Sequence, residues 1–439
     1  MAWTTLTLEV TTPLFNGGAD PEGQSFQSGQ DEGVRVASIR GAMRFWFRAL
    51  VGCLTGPDLR LLASLERRVF GSASVQGHAD DSSAASPVLL RIPRQPDVVP
   101  ATARHDFLLK RPRHESRWIL YLMGQGLADL AQLTIRRPYV PPGQEFQLKI
   151  GFRHRPGDGA ESRSAIEGLA LASLWLVCTY GGLGARTRRG FGGVRIIRAE
   201  GELPGPWRAE NAMLTPGLGH YERLRFLWPD GALGTCMRYI QVLAPAGEHF
   251  DPRSAWGGNP PSFPVLSRTH TQARTSGGDA FLSWSDTLIH AGEQLRHFRA
   301  SAPNTRPTAH YQPKIETPEW ADVVHGNSDR FAVGALGLPV VYKDGYVVNV
   351  DHNGPEGPLR RASPLWLRVV GNEDQWRLLS FAFHGEFLPG PGAPSVNLWQ
   401  RGSRRKRLQV THDDVQRLSS QWIDVMSQDE SFADGQHRK

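Results

Sequence analysis

The chain has very little cysteine: Cys53, Cys178 and Cys236 are the only three among its 439 residues. They lie far apart in the sequence, without a CxxC pair and without histidines at the spacing of a zinc site. A scaffold held together by disulfide bonds is therefore not expected, and neither is a metal site.

Long hydrophobic runs are also missing. No uninterrupted apolar run approaches the roughly 18 residues of a membrane-spanning helix. The first ten residues lack the basic segment followed by an apolar segment that marks a secretory signal. With 40% hydrophobic and 21% charged residues, the composition is typical of a soluble globular protein. These observations predict a cytoplasmic chain with no membrane partner.

The common nucleotide-binding and hydrolase motifs are absent as well. The sequence has no GxxxxGK[ST] P-loop, no HExxH zinc motif and no GxSxG nucleophile elbow. Gly182 and Gly184 begin a GxG pattern, but Thr187 stands where a dinucleotide-binding motif requires glycine or alanine. We therefore expect no cofactor.

What the chain does have is an excess of positive charge. Its 50 lysines and arginines exceed its 43 aspartates and glutamates, which gives a formal net charge of +7. A positive surface favours polyanionic partners, because it attracts phosphates over a long range and is screened by salt. Charge alone does not choose among such partners, so the positions of the arginines decide.

The densest cluster of arginine lies in a glycine-rich segment, residues 181–193, which contains Arg186, Arg188 and Arg189. Glycines let backbone amides approach a ligand, and guanidinium groups offer forked donors that match phosphate geometry. Phe191 lies among them and is expected to stack on a base. The plain alternative is a helix end and a turn, in which the arginines interact with the helix dipole.

A second arginine pattern lies on a predicted helix that Ser38 is expected to cap. Arg40, Arg44 and Arg48 follow at intervals of four residues and form a stripe beside the apolar face. One interpretation is that this stripe binds the same polyanion as the glycine-rich segment. The other is a solvated face with ion pairs to acidic residues such as Glu66.

Three weaker candidates complete the set. Asn16 and Gly18 lie in a turn whose backbone amides can meet an anion. His105 and Asp106 lie among basic residues, so metal-free RNA cleavage with histidine as the general base is the catalytic alternative. The basic run at residues 404–407 is interpreted as a solvated surface, with an RNA or acidic protein partner as the minority interpretation.

The order of the predicted elements indicates two α+β domains. In the first half, strands are predicted at residues 3–12, 88–92, 145–152 and 194–199, and helices at 39–50 and 165–180. This is the order of a ferredoxin-like, RRM-like βαββαβ domain. In the second half, strands are predicted at residues 237–243, 346–350, 365–370 and 376–384, and helices at 283–298 and 413–426.

Domain limits follow from clusters of proline and glycine. We predict an N-terminal domain at residues 1–218, a C-terminal domain at 219–426 and a flexible tail at 427–439. Residues 245–278 are expected to form a long excursion or a mobile surface loop, and residues 71–86 to be poorly ordered.

Several of these segments together resemble the RAMP superfamily of CRISPR systems. They are TPLFNGGAD at residues 12–20, VASIRGAMRFWFRAL at 36–50, the 181–193 segment and RASPL at 361–365. Within the superfamily, the match resembles the first subunit of the type III-B Cmr module. Two departures are Ala37, where proline is common, and a second half without an equally dense glycine-arginine segment, which leaves its contact with RNA open.

The resemblance implies two ferredoxin-like domains with insertions and a place in a multisubunit RNA-guided effector of antiviral defence. The expected partners are the guide RNA (crRNA), near its 3′ part, the target RNA and other subunits of the Cmr module. A non-catalytic role is implied, because target cutting belongs to other subunits in that family. The expected RNA contacts are Asn16, Gly18, Arg40, Arg44, Arg48, Gly182, Gly184, Arg186, Arg188, Arg189 and Phe191.

Two alternative functions stay open at this point. Other members of the superfamily are metal-independent endoribonucleases that process guide RNA, so this chain is a candidate for the same activity. A protein-only assembly module, whose arginines contact acidic neighbouring subunits, is the other alternative.

Overall fold

A computed structural model describes most of the chain, and all structural statements below refer to these residues. They are residues 3–16, 33–72, 84–129, 131–208, 212–215, 232–245, 247–248, 250, 255–267, 269–301, 317–351, 359–388 and 395–428. The helices are α1 Val36–Thr55, α2 Leu59–Phe70, α3 Asp106–Leu109, α4 Arg113–Met123, α5 Ala160–Thr179, α6 Ala232–Leu243, α7 Trp284–Ser301, α8 Pro318–His325 and α9 His412–Ser427. The strands are β1 Trp3–Val10, β2 Val88–Arg94, β3 Ala128–Asp129, β4 Thr134–Ile135, β5 Glu145–Phe152, β6 Val194–Glu200, β7 Thr271–Thr275, β8 Val340–Val341, β9 Tyr346–Val350, β10 Leu365–Asn372, β11 Gln375–Phe383, β12 Val396–Gln400 and β13 Ser403–Leu408.

The first half is built on a four-stranded antiparallel sheet in the order β2-β5-β1-β6. Every second residue of β1 is apolar and buried: Leu6, Leu8 and Val10 are at most 1% exposed. This pattern explains why β1 lies inside the sheet. Helices α1 and α5 bury their apolar residues in the same core. Helices α1 and α2 lie between β1 and β2 in sequence, and α5 lies between β5 and β6. Helices α3 and α4 and the small β3–β4 pair are inserted between β2 and β5.

Helix α1 packs on the sheet through the residues that the sequence predicted. Met43, Trp46 and Phe47 are at most 1% exposed, as their helical spacing requires. The predicted cap is wrong, however, because the helix begins at Val36 and has no side-chain cap. Ser38 lies inside the first turn instead.

The second half contains two separate sheets. Strands β10-β11-β7 form a three-stranded antiparallel sheet that contacts α7 and α9. Strands β13-β12-β9-β8 form a four-stranded sheet, which is inserted on both sides of the β10–β11 hairpin in sequence.

The strand predicted at residues 237–243 is wrong, because this segment forms most of α6. Cys236, Ile240 and Leu243 are buried at helical spacing and belong to the same core as α5. A short apolar run of this kind fits a strand or a buried helix equally well by periodicity. The interval 245–278, predicted as an excursion, contains β7 near its end.

The predicted domain limits near residue 218 and the tail from residue 429 lie outside the described residues, as does most of residues 71–86. No helix within the described ranges is both long and apolar enough to cross a membrane.

The two halves are joined where the 181–193 segment, here called the glycine-arginine loop, meets β10. The amide of Leu367 donates to the carbonyl of Arg188 at 3.2 Å. Arg368 is 4% exposed, and its guanidinium donates to the carbonyls of Cys178, Gly181 and Val194. These carbonyls lie at the two ends of the loop, so a side chain of the second half holds both ends in place.

Replacement of Phe47 by alanine is expected to lower the free energy of unfolding by about 3–5 kcal/mol, because a buried aromatic ring is removed from the core. Phe47 contacts Phe70 of α2, with ring centroids 5.5 Å apart. Urea denaturation followed by tryptophan fluorescence measures the change. Gly41→Ala on the exposed face of the same helix is the control, since its Cβ meets no atom within 4 Å; an equal loss in both variants contradicts the assignment.

Arg368→Met is expected to lower the stability by about 3 kcal/mol or more, because three buried carbonyls lose a charged donor. It should also open the loop, so that trypsin cleaves after Arg186, Arg188 and Arg189 faster than in the native protein. Arg377→Met is the matched control: Arg377 also donates to three carbonyls, those of residues 276–278, away from the loop. Equal loop protection in both variants would show that Arg368 does not fix the loop.

Candidate nucleic-acid interface

The glycine-arginine loop is held by backbone hydrogen bonds on both sides. Within the loop, the amide of Leu183 donates to the carbonyl of Gly192 at 2.9 Å. The amide of Ala185 donates to the carbonyl of Phe15 at 2.8 Å, and that of Gly192 to the carbonyl of Pro13 at 2.9 Å. The loop is therefore a fixed structure that lies on the turn after β1.

Glycine is required at two of these contacts. Gly184 has a φ of +81°, and a Cβ there would collide with the carbonyl of Phe15. Gly192 has a φ of +67°, and a Cβ would collide with the carbonyl of Leu183. Arg186 also has a positive φ, +62°, although it carries a side chain. These glycines are explained by close approach of one backbone to another.

A groove of about 460 Å³ runs between the loop and α1. Its walls bring together Asn16, Gly182 and Gly184, three of the predicted contacts. The other lining residues are Ser38, Ala42, Phe45, Trp46, Leu183, Ala185, Thr187 and Trp366. Gly18, which was predicted beside Asn16, lies outside the described residues.

The arginine stripe of α1 lies on a different side of the helix from this groove. Arg40 donates to the carbonyl of Val88, and Arg44 to those of Phe70 and Gly71. Arg48 forms two hydrogen bonds with the carboxylate of Glu66, at 2.5 and 2.9 Å. The residues of α1 that line the groove are Ser38, Ala42, Phe45 and Trp46, and none of them belongs to the stripe. The structure therefore does not bring the stripe and the loop to one groove.

Phe191 does not have the exposure that base stacking needs. It is 1% exposed, and its ring packs edge-on against Phe15 with centroids 5.8 Å apart. The prediction that it stacks on a base is thus wrong for this conformation, because the hydrophobic effect places the ring in the core. The partly exposed aromatic ring that lines the groove is that of Phe45. It packs on Trp366, which is 6% exposed, with ring centroids 5.5 Å apart.

Arg188 and Arg189 are partly buried and form no ion pair with a carboxylate among the described residues. Arg188 donates to the carbonyl of Ser363 at 2.9 Å, and its guanidinium carbon lies 4.8 Å from the ring centre of Trp366. Burial, and after it the charge of Arg361, lowers the pKa of Arg188 to about 10. Burial, and after it chiefly Arg299, lowers the pKa of Arg189 to about 10.

Arg186 is more exposed, but the pKa of its guanidinium is also lowered, by burial and then by the charge of Arg360. Within the described ranges, no carboxylate forms an ion pair with Arg186, Arg188 or Arg189. Their charged neighbours are other arginines. An accumulation of like charge without counter-charge is costly and favours an anionic ligand.

Sequence reasoning missed three of these neighbours, Arg299, Arg360 and Arg361, as members of the site. The pair Arg360-Arg361 was visible as a basic dipeptide, but nothing in the sequence connected it to the loop. Arg299 lies on α7 and gave no signal. For Arg368 the sequence did contain a signal: a single arginine in the apolar strand segment 365–370 indicates a buried charge with specific partners.

The residues of the catalytic alternative are used for structure. His105 is 7% exposed, and its ring nitrogens contact the hydroxyl of Tyr139 at 3.2 Å and the carbonyl of Ala101 at 3.1 Å. Asp106 forms an ion pair with Lys110 at 2.8 Å, which, through a hydrogen bond, lowers the pKa of its carboxyl. No group of three possible metal ligands occurs in the part of the chain that the structure describes.

Comparison with known proteins gives an independent view of the same region. Residues 7–195 match the family model described as the RAMP superfamily. The chain is 31% identical over 170 residues to the CRISPR system Cmr subunit Cmr1-1 of Pyrococcus furiosus, a match that covers 39% of this chain and 42% of that protein. It thus spans less than half the length of this relative. It is 27% identical over 205 residues to Cmr subunit Cmr1-2 of the same organism, which covers 43% of this chain and 92% of the relative.

Among solved structures, the crystal structure of Cmr1 from Pyrococcus furiosus in its apo form matches with a TM-score of 0.51. The match has 19% identity and covers 96% of this chain and 97% of that one, so it supports a shared fold over nearly the whole length. The resemblance indicated by the sequence motifs is therefore confirmed: residues 7–195 match the model of the RAMP superfamily, and the chain is similar to the Cmr1 subunits.

Proposed function

We propose that this chain is a non-catalytic, RNA-binding subunit of a type III-B CRISPR effector of the Cmr kind, and that the glycine-arginine loop binds the phosphate backbone of RNA. The proposed partners are the guide RNA, the target RNA and other subunits of the same module. The relatives support the place in the module, since they carry the name of Cmr subunits.

One observation carries the RNA-binding part of the proposal. Burial and the charges of further arginines lower the pKa of Arg186, Arg188 and Arg189, and no carboxylate forms an ion pair with them among the described residues. Guanidinium groups pair with phosphate oxygens through two parallel hydrogen bonds, which lowers the cost of burying the charge. A polyanion supplies such oxygens at regular intervals, whereas a single small anion satisfies one or two guanidiniums.

The groove beside the loop supports contact with a single strand. Phe45, which is partly exposed, contributes an aromatic face to the groove, and aromatic rings bind bases with little dependence on sequence. Asn16 and Ser38 add polar groups to the opposite wall; the hydroxyl of Ser38 donates to the Oδ1 of Asn16 at 3.4 Å. We therefore assign base contact to this groove instead of Phe191, and we assign the stripe Arg40, Arg44 and Arg48 to structural bonds.

Two finer points of architecture belong to the same proposal. We propose that the second half is a ferredoxin-like RAMP domain in which β7, β10 and β11 form the sheet, and that the β8–β9 and β12–β13 strands are insertions. The boundary between the domains is proposed near residue 218. Helix α6 nevertheless packs on α5 of the first domain.

The loop is tested by replacing Arg186, Arg188 and Arg189 with glutamine and measuring the affinity for single-stranded RNA at several salt concentrations. Each phosphate contact that is lost should reduce the slope of log affinity against log salt by about 0.7, so the triple variant should show a slope about 2 units smaller.

The control removes the same charge at the exposed residues Arg113, Arg163 and Arg198 and should leave the slope close to that of the native protein. Thermal unfolding of both triple variants verifies that they fold. An unchanged slope and affinity in the loop variant would end the proposal that the loop binds RNA.

The non-catalytic role is tested with the purified chain and repeat-containing RNA in EDTA. We expect no defined cleavage products, because both ring nitrogens of His105 are occupied and Asp106 is paired with Lys110. Products with defined ends that disappear in His105→Ala would instead establish the endoribonuclease alternative.

A further inference from the structure

The four-stranded sheet β13-β12-β9-β8 carries a row of residues that crosses all of its strands. Directly opposed residues of antiparallel neighbours lie on the same face of a sheet. The observed register therefore places four side chains in one row on one face, in the order Val341, Val347, Trp399 and Arg404. We call these residues the cross-strand row. It spans about 14 Å, because neighbouring strands lie about 4.8 Å apart.

The apolar members of the row lie on the face that points away from the core. On β9, Val348 and Val350 are 0% exposed and belong to the core of the second half. Val347 lies between them in the sequence and therefore points to the opposite face. Val341 is 70% exposed, and Val347 and Trp399 are partly exposed. None of these three packs against either hydrophobic core of the described residues.

The indole ring of Trp399 is held in a fixed orientation. Its Nε1 donates to Oδ1 of Asp351 at 3.2 Å, and Oδ2 of Asp351 accepts from Nδ2 of Asn397 at 2.6 Å. Asn397 is 0% exposed, so the carboxylate that orients the ring is itself anchored on the sheet. A pre-oriented ring loses little conformational entropy when it is covered by another molecule. Tryptophan is also among the residues that dominate the binding energy of protein interfaces.

The row ends at a basic edge strand. Strand β13 is the last strand of its sheet, and it contains four consecutive cations, Arg404, Arg405, Lys406 and Arg407. The three arginines are exposed, whereas Lys406 donates to the carbonyl of Ser328 at 2.6 Å. The sequence holds no aspartate or glutamate from residue 387 to residue 412. The strand is therefore a local concentration of positive charge.

These arginines have little counter-charge. Among the described residues, the one ion pair of the edge strand joins Arg404 to Asp351, at 3.9 Å. That carboxylate already accepts two hydrogen bonds. Positive charge on an edge strand protects it against pairing with another strand, and this protection accounts for part of the basic run. It does not account for the apolar residues beside the run.

The two ends of the row discriminate between classes of partner. An RNA strand can use the arginines and the tryptophan, but phosphates and bases gain little from Val341 and Val347 at the far end of the row. A second copy of the chain brings the same basic strand and the same net charge of +7, which opposes association. A protein surface with acidic residues beside apolar ones matches both ends.

We propose that the cross-strand row, together with Arg405 and Arg407, binds an acidic protein partner. The partner's carboxylates meet the edge strand, and its apolar side chains cover Val341, Val347 and Trp399. Within the proposed effector this partner is a neighbouring subunit, so the inference rests on the proposed place in the module but not on RNA binding by the loop. It gives the second half a binding function that needs no glycine-arginine loop.

The test measures binding of the full chain to the remaining subunits of the module, expressed together without RNA. The edge variant carries Arg404→Gln, Arg405→Gln and Arg407→Gln; the face variant carries Val341→Asp. Each should weaken binding about tenfold or more. The edge variant should mainly lower the association rate and its dependence on salt, because exposed charges steer the encounter. The face variant should mainly raise the dissociation rate, because it places a carboxylate in an apolar contact.

The control for lost charge is the variant in which the exposed residues Arg113, Arg163 and Arg198 of the first half are replaced by glutamine. It should bind the subunits like the native chain. Thermal unfolding verifies that all variants fold, and the face variant should melt like the native chain because Val341 is 70% exposed. A photo-crosslinking residue at position 341 should link to a subunit peptide that is rich in aspartate and glutamate.

The outcomes separate this inference from the proposed function. If the chain joins the module and both variants bind like the native chain, the row is not the contact surface and the place in the module stands. If the native chain does not join the module, both proposals fail. If the edge variant loses affinity for RNA while binding of the subunits is unchanged, the edge strand is an RNA site. If the native chain is a dimer that the face variant dissociates, the row binds a second copy. Each of the last two results also overturns the inference.

Discussion

The arrangement of this chain depends on a single buried guanidinium, that of Arg368. Its donors reach the carbonyls of Cys178, Gly181 and Val194, which belong to the end of α5, the start of the loop and the start of β6. A buried charge without hydrogen bonds is very costly, and a helix end leaves carbonyls without donors. In this chain the buried guanidinium supplies the donors that these carbonyls lack, and the carbonyls supply the hydrogen bonds that the buried charge needs. The first half thereby obtains the fixed loop, and the second half obtains a firm place beside it.

Local periodicity was sufficient to predict much of the fold. The alternating strand at residues 145–152 and the long apolar helix before the loop were found in the sequence with nearly the observed bounds. Most of helix α6 was predicted as a strand, because a largely apolar segment of seven residues is too short for its periodicity to distinguish the two. The β8–β9 and β12–β13 sheet was mostly missed, since short strands in an insertion pair over long distances that no local pattern records.

The candidate site also depends on tertiary contacts that local sequence patterns do not record. Composition identified the glycine-arginine loop, and Asn16, Gly182 and Gly184 do meet in one groove. For the stripe on α1, the sequence left open a surface shared with the loop or ion pairs to residues such as Glu66, and the structure shows the pair with Glu66. Helical spacing tells which residues share a face but not what that face contacts. Phe191 and Phe45 have the same chemistry, yet only the tertiary fold decides that the first is buried and the second borders the groove. Arg299 shows the extreme case, since its neighbours are far away in the sequence.

The backbone of Arg186 is strained. A residue with a side chain at a φ of +62° costs about 1–2 kcal/mol relative to glycine. In a loop already rich in glycine, a further glycine at this position would relieve that cost at once. A chain that instead holds arginine there gives up stability and gains a cation beside Arg360. Proteins made more heat-resistant by relaxing such positions commonly lose function, so this residue is a poor target for stabilisation.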